Sequence, residues 1–360
     1  MKLVVLGLSL SSSWGNGHAT TYRALLTAFA ARGHEVLFLE RDVPWYASHR
    51  DLWHPDYCDL AFYGSVDELS RWHSEIASAD AVIVGSYVPD GIAVGRLAQQ
   101  WAGGVTAFYD IDTPVTLARI ADGDCDYLSP QLIAGYDLYL SFTGGPTLEL
   151  IERRHGAPAA RALYCSVDPD AYRPRPVEKR WDLTYLGTYS VDRQPTLERL
   201  LIDVAARMPD RRFAVAGAQY PAGIAWPANV ERIDHLPPAL HAEFYSASGY
   251  ALNVTRADMI RAGWSPSVRL FEAAACGTPI ISDIWPGLDE LLAPGEEIIL
   301  AADTEDVVAA IIDGDGEAMG RKARSRVLAL HTASARAAEL EAHIREATPV
   351  RANASLAEAG

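Results

Sequence analysis

Ser265-Pro266-Ser267-Val268-Arg269-Leu270-Phe271-Glu272-Ala273-Ala274-Ala275-Cys276-Gly277-Thr278-Pro279-Ile280-Ile281-Ser282-Asp283 reads as a helix that stops at a glycine and passes at once into a buried strand. Small residues open the helix, Glu272 lies more than one turn in, and Gly277 supplies the end signal. Ser267 and Val268 offer backbone N–H groups where a helix start attracts phosphate, with Ser265 and Arg269 flanking them. Glu272 can accept from a ribose diol with both oxygens.

Outward from this stretch, short apolar and β-branched runs recur between helical patterns. In the first half they are Leu3 to Leu8, Glu35 to Leu39, Ala81 to Gly85, Val105 to Tyr109 and Leu138 to Phe142. In the second they are Leu183 to Leu186, Phe213 to Ala216, Tyr250 to Val254, Pro279 to Ser282 and Glu297 to Leu300. Such alternation predicts βαβ units, an α/β class with parallel sheets. Tyr22, Leu25, Leu26 and Phe29, spaced by three and four before Gly33, predict an amphipathic helix over 19–31. The proline-rich, charged stretch from Asp168 to Pro176 breaks the pattern. The predicted organisation is therefore a domain over 1–167, a linker over 168–181, a second domain over 182–350, and a loose tail over 351–360.

The 360 residues exceed what one core usually serves, and an apolar fraction of 49% supports two. A formal charge of -16 argues against nucleic acid, whose phosphates need clustered Lys and Arg. The four cysteines, Cys58, Cys125, Cys165 and Cys276, form no C-x-x-C pair, so neither a zinc site nor a disulfide framework is expected. No apolar run approaches a membrane span and no signal peptide is read, so the expected location is cytoplasmic and not integral to a membrane.

In open parallel sheets ligands sit beyond the carboxyl ends of the strands, so the chemistry is sought in those loops. The first strand leads into Trp14-Gly15-Asn16-Gly17-His18, where glycines permit close backbone approach to a ligand, an anion or a sugar hydroxyl. The full G-x-G-x-x-G spacing is missing there, which disfavours a dinucleotide-dependent dehydrogenase. His18, with an ordinarily near-neutral pKa, suits either acid–base work or simple packing at a helix start. Asp110 and Asp112, in Tyr109-Asp110-Ile111-Asp112-Thr113-Pro114, are candidates to hold an acceptor or act as a base, Asp112 equally a helix N-cap. Aromatic residues from Trp45 to Tyr63 read as a satellite core under a long loop, with stacking on a sugar as the alternative. Gly187, Tyr189 and Arg193 form a plausible phosphate cradle, and Arg256 is a second cation in the same layer, although an Arg at a strand end of so acidic a chain is more often a salt-bridge partner. No ligand cluster for a metal is seen.

Ser267 to Ala301, through Phe271-Glu272-Ala273, Cys276-Gly277-Thr278-Pro279 and Trp285-Pro286-Gly287-Leu288-Asp289-Glu290, resembles the donor-binding signature of group 1 glycosyltransferases, especially the spore-maturation-type bacterial subgroup. Weaker likeness reaches Asp110 to Pro114 and Leu186 to Tyr189. The resemblance implies the GT-B fold, two facing Rossmann-like domains with parallel sheets, acceptor on the first and nucleotide sugar on the second. It implies no cofactor beyond the nucleotide diphosphate sugar as donor substrate, no metal, and an acceptor that is a small molecule, glycan or protein. By the same resemblance Glu272 binds the nucleotide ribose, and Ser267 with Val268 faces the phosphates. Many retaining relatives carry a further glutamate eight positions earlier, where this chain has Trp264, so a retaining mechanism is not inherited. The rival readings are a nucleotide-sugar epimerase and a non-catalytic binder of sugar nucleotides.

Overall fold

The computed structural model describes residues 1–14 and 17–348. The chain divides into two compact units. The first holds Met1–Phe142, Pro146–Leu163 and the described residues from Arg336 on, and the second holds Thr143–Gly145 and Tyr164–Ala335.

In the first unit seven strands, β1 (Lys2–Gly7), β2 (Glu35–Arg41), β3 (Asp59–Tyr63), β4 (Ala81–Gly85), β5 (Val105–Asp110), β6 (Leu138–Ser141) and β7 (Ala160–Ala162), form one parallel sheet. Their order is β3-β2-β1-β4-β5-β6-β7. Successive side chains of a strand point to opposite faces, and here both faces are apolar, as a parallel sheet covered by helices requires. Leu3 and Val5 pack on one side with Tyr22, Leu25, Leu26 and Phe29 of helix His18–Ala31. Val4 and Leu6 pack on the other with Val94 and Ala98 of helix Gly91–Trp101. Helix His18–Ala31 ends as its spacing predicts, with Gly33 at φ +85° and its N–H donated to Ala30 O at 2.8 Å.

The second unit holds β8 (Trp181–Leu186), β9 (Phe213–Ala216), β10 (Val230–Ile233), β11 (Ser248–Asn253), β12 (Ile280–Ser282) and β13 (Ile299–Leu300), again all parallel. Their order is β10-β9-β8-β11-β12-β13. Helix Val268–Ala275 precedes β12 and is buried from Leu270 to Ala275. Gly277, at φ +72°, turns the chain after this helix. Gly320 of helix Gly316–Leu330 comes so near that a side-chain carbon there would lie 2.2 Å from Gly277 O, so the two helices meet through backbone.

Two expectations need correction. The segment from Trp45 to Tyr63 is not merely a packed loop. Its last five residues form the edge strand β3, Tyr46 and Tyr63 are buried, and Trp45 and Trp53 stay about half exposed. The second-domain bounds also fail at their end. Helix Ala333–Ala347 places Ala337, Leu340 and Ile344 in the first unit's core, and Arg32 Nε donates to Glu341 Oε2 at 2.8 Å. An apolar face goes to the surface it fits, whatever its place in the chain. The tail over 351–360 lies outside the described residues. Among the described residues, no helix is long and apolar enough to cross a membrane.

Candidate functional site

In the second unit β8 ends by turning through Gly187. Its N–H donates to Ala216 O at 2.8 Å, and its carbonyl accepts from Tyr220 Oη at 3.0 Å. A side chain at Gly187 would meet Tyr185 Oη at 2.6 Å and Arg269 Nη2 at 2.8 Å, so glycine is what lets Arg269 lie against the turn. Arg269 donates to Leu186 O and, at 3.1 Å, to Asn253 Oδ1, with its guanidinium 4.8 Å from the Tyr185 ring centroid. Ser267, the N-cap of helix Val268–Ala275, gives its hydroxyl to Asn253 Oδ1 at 2.8 Å and caps no backbone N–H. The first-turn N–H groups of a helix therefore stand beside a guanidinium.

Arg193 reaches the same turn, donating through Nη2 to Thr188 O at 2.7 Å, while its Nε is buried and, among the described residues, without a hydrogen-bond partner. Burial first, and then the Arg269 charge, pull Arg193 below the ordinary guanidinium range. Among the described residues neither Arg193 nor Arg269 forms an ion pair. Both guanidiniums are part-buried, and a cation shielded from water without an anion is costly, so the pair can take a negatively charged ligand. Sequence reasoning missed Arg232, which lies 4.2 Å over the Tyr220 ring and 4.7 Å over the Trp226 ring, and Asn253, to which Ser267 and Arg269 both turn. Tyr189 meets Tyr220 edge to face at 5.6 Å.

Other second-unit candidates fall elsewhere. Arg256 takes the salt-bridge alternative, with Nε 3.7 Å from Asp192 Oδ2. Burial raises the Asp192 carboxyl, but hydrogen bonds from Ser190 and the Ala257 backbone and the Arg256 charge outweigh it and hold it below the usual range. Ser265 is buried, its hydroxyl 3.0 Å from Thr143 Oγ1, and it braces the loop rather than opening to a ligand. Val268 is exposed. Glu272 is buried and accepts from Tyr245 Oη at 3.3 Å, so one of the two oxygens expected to be open already has a partner. Trp264 is held left-handed at φ +42°. A side chain at Gly145 or Gly287 would lie 2.4 Å from its ring, so two glycines cradle it where the resemblance expects a carboxylate.

In the first unit Gly15 and Asn16 lie outside the described residues. Trp14 is about half exposed and stacks on His49 at 4.2 Å, and Gly17 is the N-cap of helix His18–Ala31. The loop leading to them is braced by the buried Glu40, which accepts from Leu10 N at 2.7 Å, Ser11 N at 2.8 Å and Ser11 Oγ at 2.6 Å.

His18 does not keep its near-neutral pKa: burial lowers it to about 3, so the imidazole is neutral at physiological pH and is a hydrogen-bonding group rather than a proton store. Its Nδ1 is buried and, among the described residues, without a hydrogen-bond partner. Asp110 is fully buried, accepting from Tyr139 Oη at 2.6 Å, Thr116 Oγ1 at 2.8 Å and Asp112 N at 3.2 Å. It cannot meet an acceptor, and it braces the loop after β5. Burial raises its carboxyl to about 6, against the pull of those hydrogen bonds. Asp112 is the N-cap residue of helix Thr113–Asp122, and its Oδ2 accepts from Tyr87 Oη at 2.9 Å. Nothing in the sequence marked Tyr87 as special. It follows β4 at φ +62°, a conformation that costs a bulky residue of order 1–3 kcal/mol. Among the described residues no group of three or more His, Cys, Asp or Glu could hold a metal.

The sucrose-phosphate synthase of Thermosynechococcus elongatus is similar with a TM-score of 0.69 at 17% identity, covering 96% of this chain and 99% of that one. HepE of Anabaena, in complex with UDP and glucose, gives 0.68 at 12%, covering 96% and 100%. An alpha-glucosyltransferase in complex with UDP-glucose and DNA containing an abasic site gives 0.68 at 15%, covering 96% and 99%. Two parallel-sheet units with these likenesses define the GT-B fold. Residues 193–342 match the family model described as Glycosyl transferase-like, and no curated protein sequence matches. The chain thus has the fold of GT-B glycosyltransferases, and its residues 193–342 are similar to a glycosyltransferase family.

Proposed function

We propose that the chain moves a sugar from a nucleotide diphosphate sugar to an acceptor hydroxyl or amine, without a metal, and that it is of the spore-maturation subgroup. The observation that carries this is the pair Arg193 and Arg269, free of ion pairs among the described residues, beside the Gly187 turn and the Ser267 helix start. A diphosphate supplies the missing anion, and the two guanidiniums with the helix dipole stabilise it as it departs, the work a divalent cation does elsewhere. Glu272, a turn further along, is the ribose partner, with Tyr245 holding its other oxygen. The bound complexes of the fold neighbours recommend UDP-glucose as the first donor to try.

His18 and Asp112 belong to the acceptor side. One fold neighbour is named with DNA, but a charge of -16 favours a small-molecule, glycan or protein acceptor here, in a cytoplasmic setting. Calorimetric titration with UDP and with uridine tests the reading. UDP should bind at least about tenfold tighter, and Arg193→Ala should erase that difference while leaving uridine unchanged. Equal affinity for UDP and uridine in the native chain refutes it. Release of free nucleotide that rises with added acceptor separates transfer from epimerisation, and its persistence in a chelator tests metal independence.

A further inference from the structure

In the first unit the strand order reverses between β1 and β4. At such a reversal the loops leaving two neighbouring strands run to opposite faces and leave a crevice. The loop after β1 delivers His18, and the loop after β4 delivers Tyr87.

Tyr87 touches everything of interest there. Its ring meets His18 edge to face at 5.5 Å, its hydroxyl donates to Asp112 Oδ2 at 2.9 Å, and its other side tilts against Tyr127 at 4.7 Å. Tyr127 Oη lies 2.8 Å from Thr116 Oγ1, which donates to the buried Asp110, so the phenol rests on a packed polar wall. Asp90, three residues on, is also left-handed at φ +56°, and Arg41 pairs with it at 3.3 Å. Two non-glycine residues in this conformation within one loop mean that the surroundings impose the geometry. Backbone strain of this kind collects where a side chain must be aimed. The unpartnered Nδ1 of His18 beside it is a second sign that a ligand's hydrogen bond is expected here.

We propose that Tyr87 is a positioning residue of the acceptor site, holding His18 and the Asp112 carboxylate together so that both can hydrogen-bond one acceptor hydroxyl. This rests on the glycosyl-transfer reading above. Asp112 takes the hydroxyl proton as that oxygen bonds to the sugar's anomeric carbon and the bond to the nucleotide diphosphate breaks, the diphosphate leaving with the electron pair. His18 donates its ring N–H to the same oxygen and fixes its orientation, and the phenol keeps the carboxylate from swinging away. The hydroxyl group is matched better than an amine, because a protonated amine offers no lone pair to donate to the sugar and His18 is too weak a base to free one.

The test uses the full chain with UDP-glucose as donor and a panel of monosaccharides, with water alone as the reference acceptor, reading free UDP. Tyr87→Phe removes one oxygen and keeps the ring. It should lower acceptor-dependent turnover by roughly tenfold or more while leaving the UDP-glucose dissociation constant and the thermal midpoint unchanged. Tyr87→Asn, which tolerates the left-handed backbone but lacks the phenol, should lose turnover as well. If the native chain turns over and Tyr87→Phe matches it, or Tyr87→Asn retains full turnover, the positioning role is overturned and the donor reading stands. If the native chain neither binds nor cleaves any nucleotide sugar offered, the donor reading falls and this proposal falls with it.

Discussion

Replacing Asp110 by Asn should make the first unit gain stability relative to the native chain as pH rises. Asp110 is fully buried, and burial lifts its carboxyl from 3.8 to about 6. Each pKa unit corresponds to about 1.4 kcal/mol, so a shift of about two units amounts to about 3 kcal/mol. The sign follows from proton counting. Well below pH 3.8 both folded and unfolded chains hold the proton and the cost is absent. Between there and about pH 6 the unfolded chain releases it while the folded chain keeps it, so stability falls as pH rises. Above about pH 6 the full cost is present. Asparagine has the same shape and no such titration. Its carbonyl can take the bonds from Thr116 and Asp112 N, and its amide can donate to Tyr139 if that hydroxyl turns to accept. The charge in those bonds exists only when Asp110 is ionised, and its effect is already contained in the net shift. Because a two-unit chain need not unfold in one step, the assay is amide hydrogen exchange of peptides from β5 and β6 across about pH 4 to 7.5. After correction for intrinsic exchange, the variant-minus-native difference should climb by about 2–3 kcal/mol over that range. A difference that stays flat refutes the idea that Asp110 is buried at the cost of its ionisation.

Two further outcomes are expected. Glu272→Ala should weaken nucleotide-sugar binding by about tenfold or more in a calorimetric titration, since it removes the carboxylate oxygen that Tyr245 leaves open to the ribose, and unchanged affinity counts against the ribose assignment. Leu340→Ala empties a fully buried position and should cost about 2–5 kcal/mol, with faster exchange in β1 and β5 and none in β8 or β11. Equal loss in both units would mean that the helix does not belong to the first core.

Much of the fold was legible because the central strands are continuous apolar runs that only a doubly covered parallel sheet needs. The strands that escaped are short or at edges. Asp59-Leu-Ala-Phe-Tyr63 begins polar and is only partly buried, and Val230-Glu-Arg-Ile233 has one face in solvent. An edge strand has half the partners of a central one and so a weaker signature. The donor-side helix could be read to within a residue or two from its opening serines and closing glycine. The acceptor side was read less well. His18 and Asp110 were found as residue types, but their burial, which decides their chemistry, depends on neighbours distant in the chain. Tyr87 carried no signal, since its left-handed backbone is imposed by contacts and not by its own preference. The destination of helix Ala333–Ala347 was equally hidden, because an apolar stripe tells a helix that it must be covered and not by what.

That helix bears on the order in which the molecule is made. The first unit's seven strands are all synthesised by residue 162, yet Ala337, Leu340 and Ile344 close its core. A nascent chain therefore leaves the ribosome with an early sheet whose one face is incomplete until residue 344 has emerged. The second unit, complete by residue 335, can be native before the first is. Shortening the chain from its end should accordingly damage the part that was translated first.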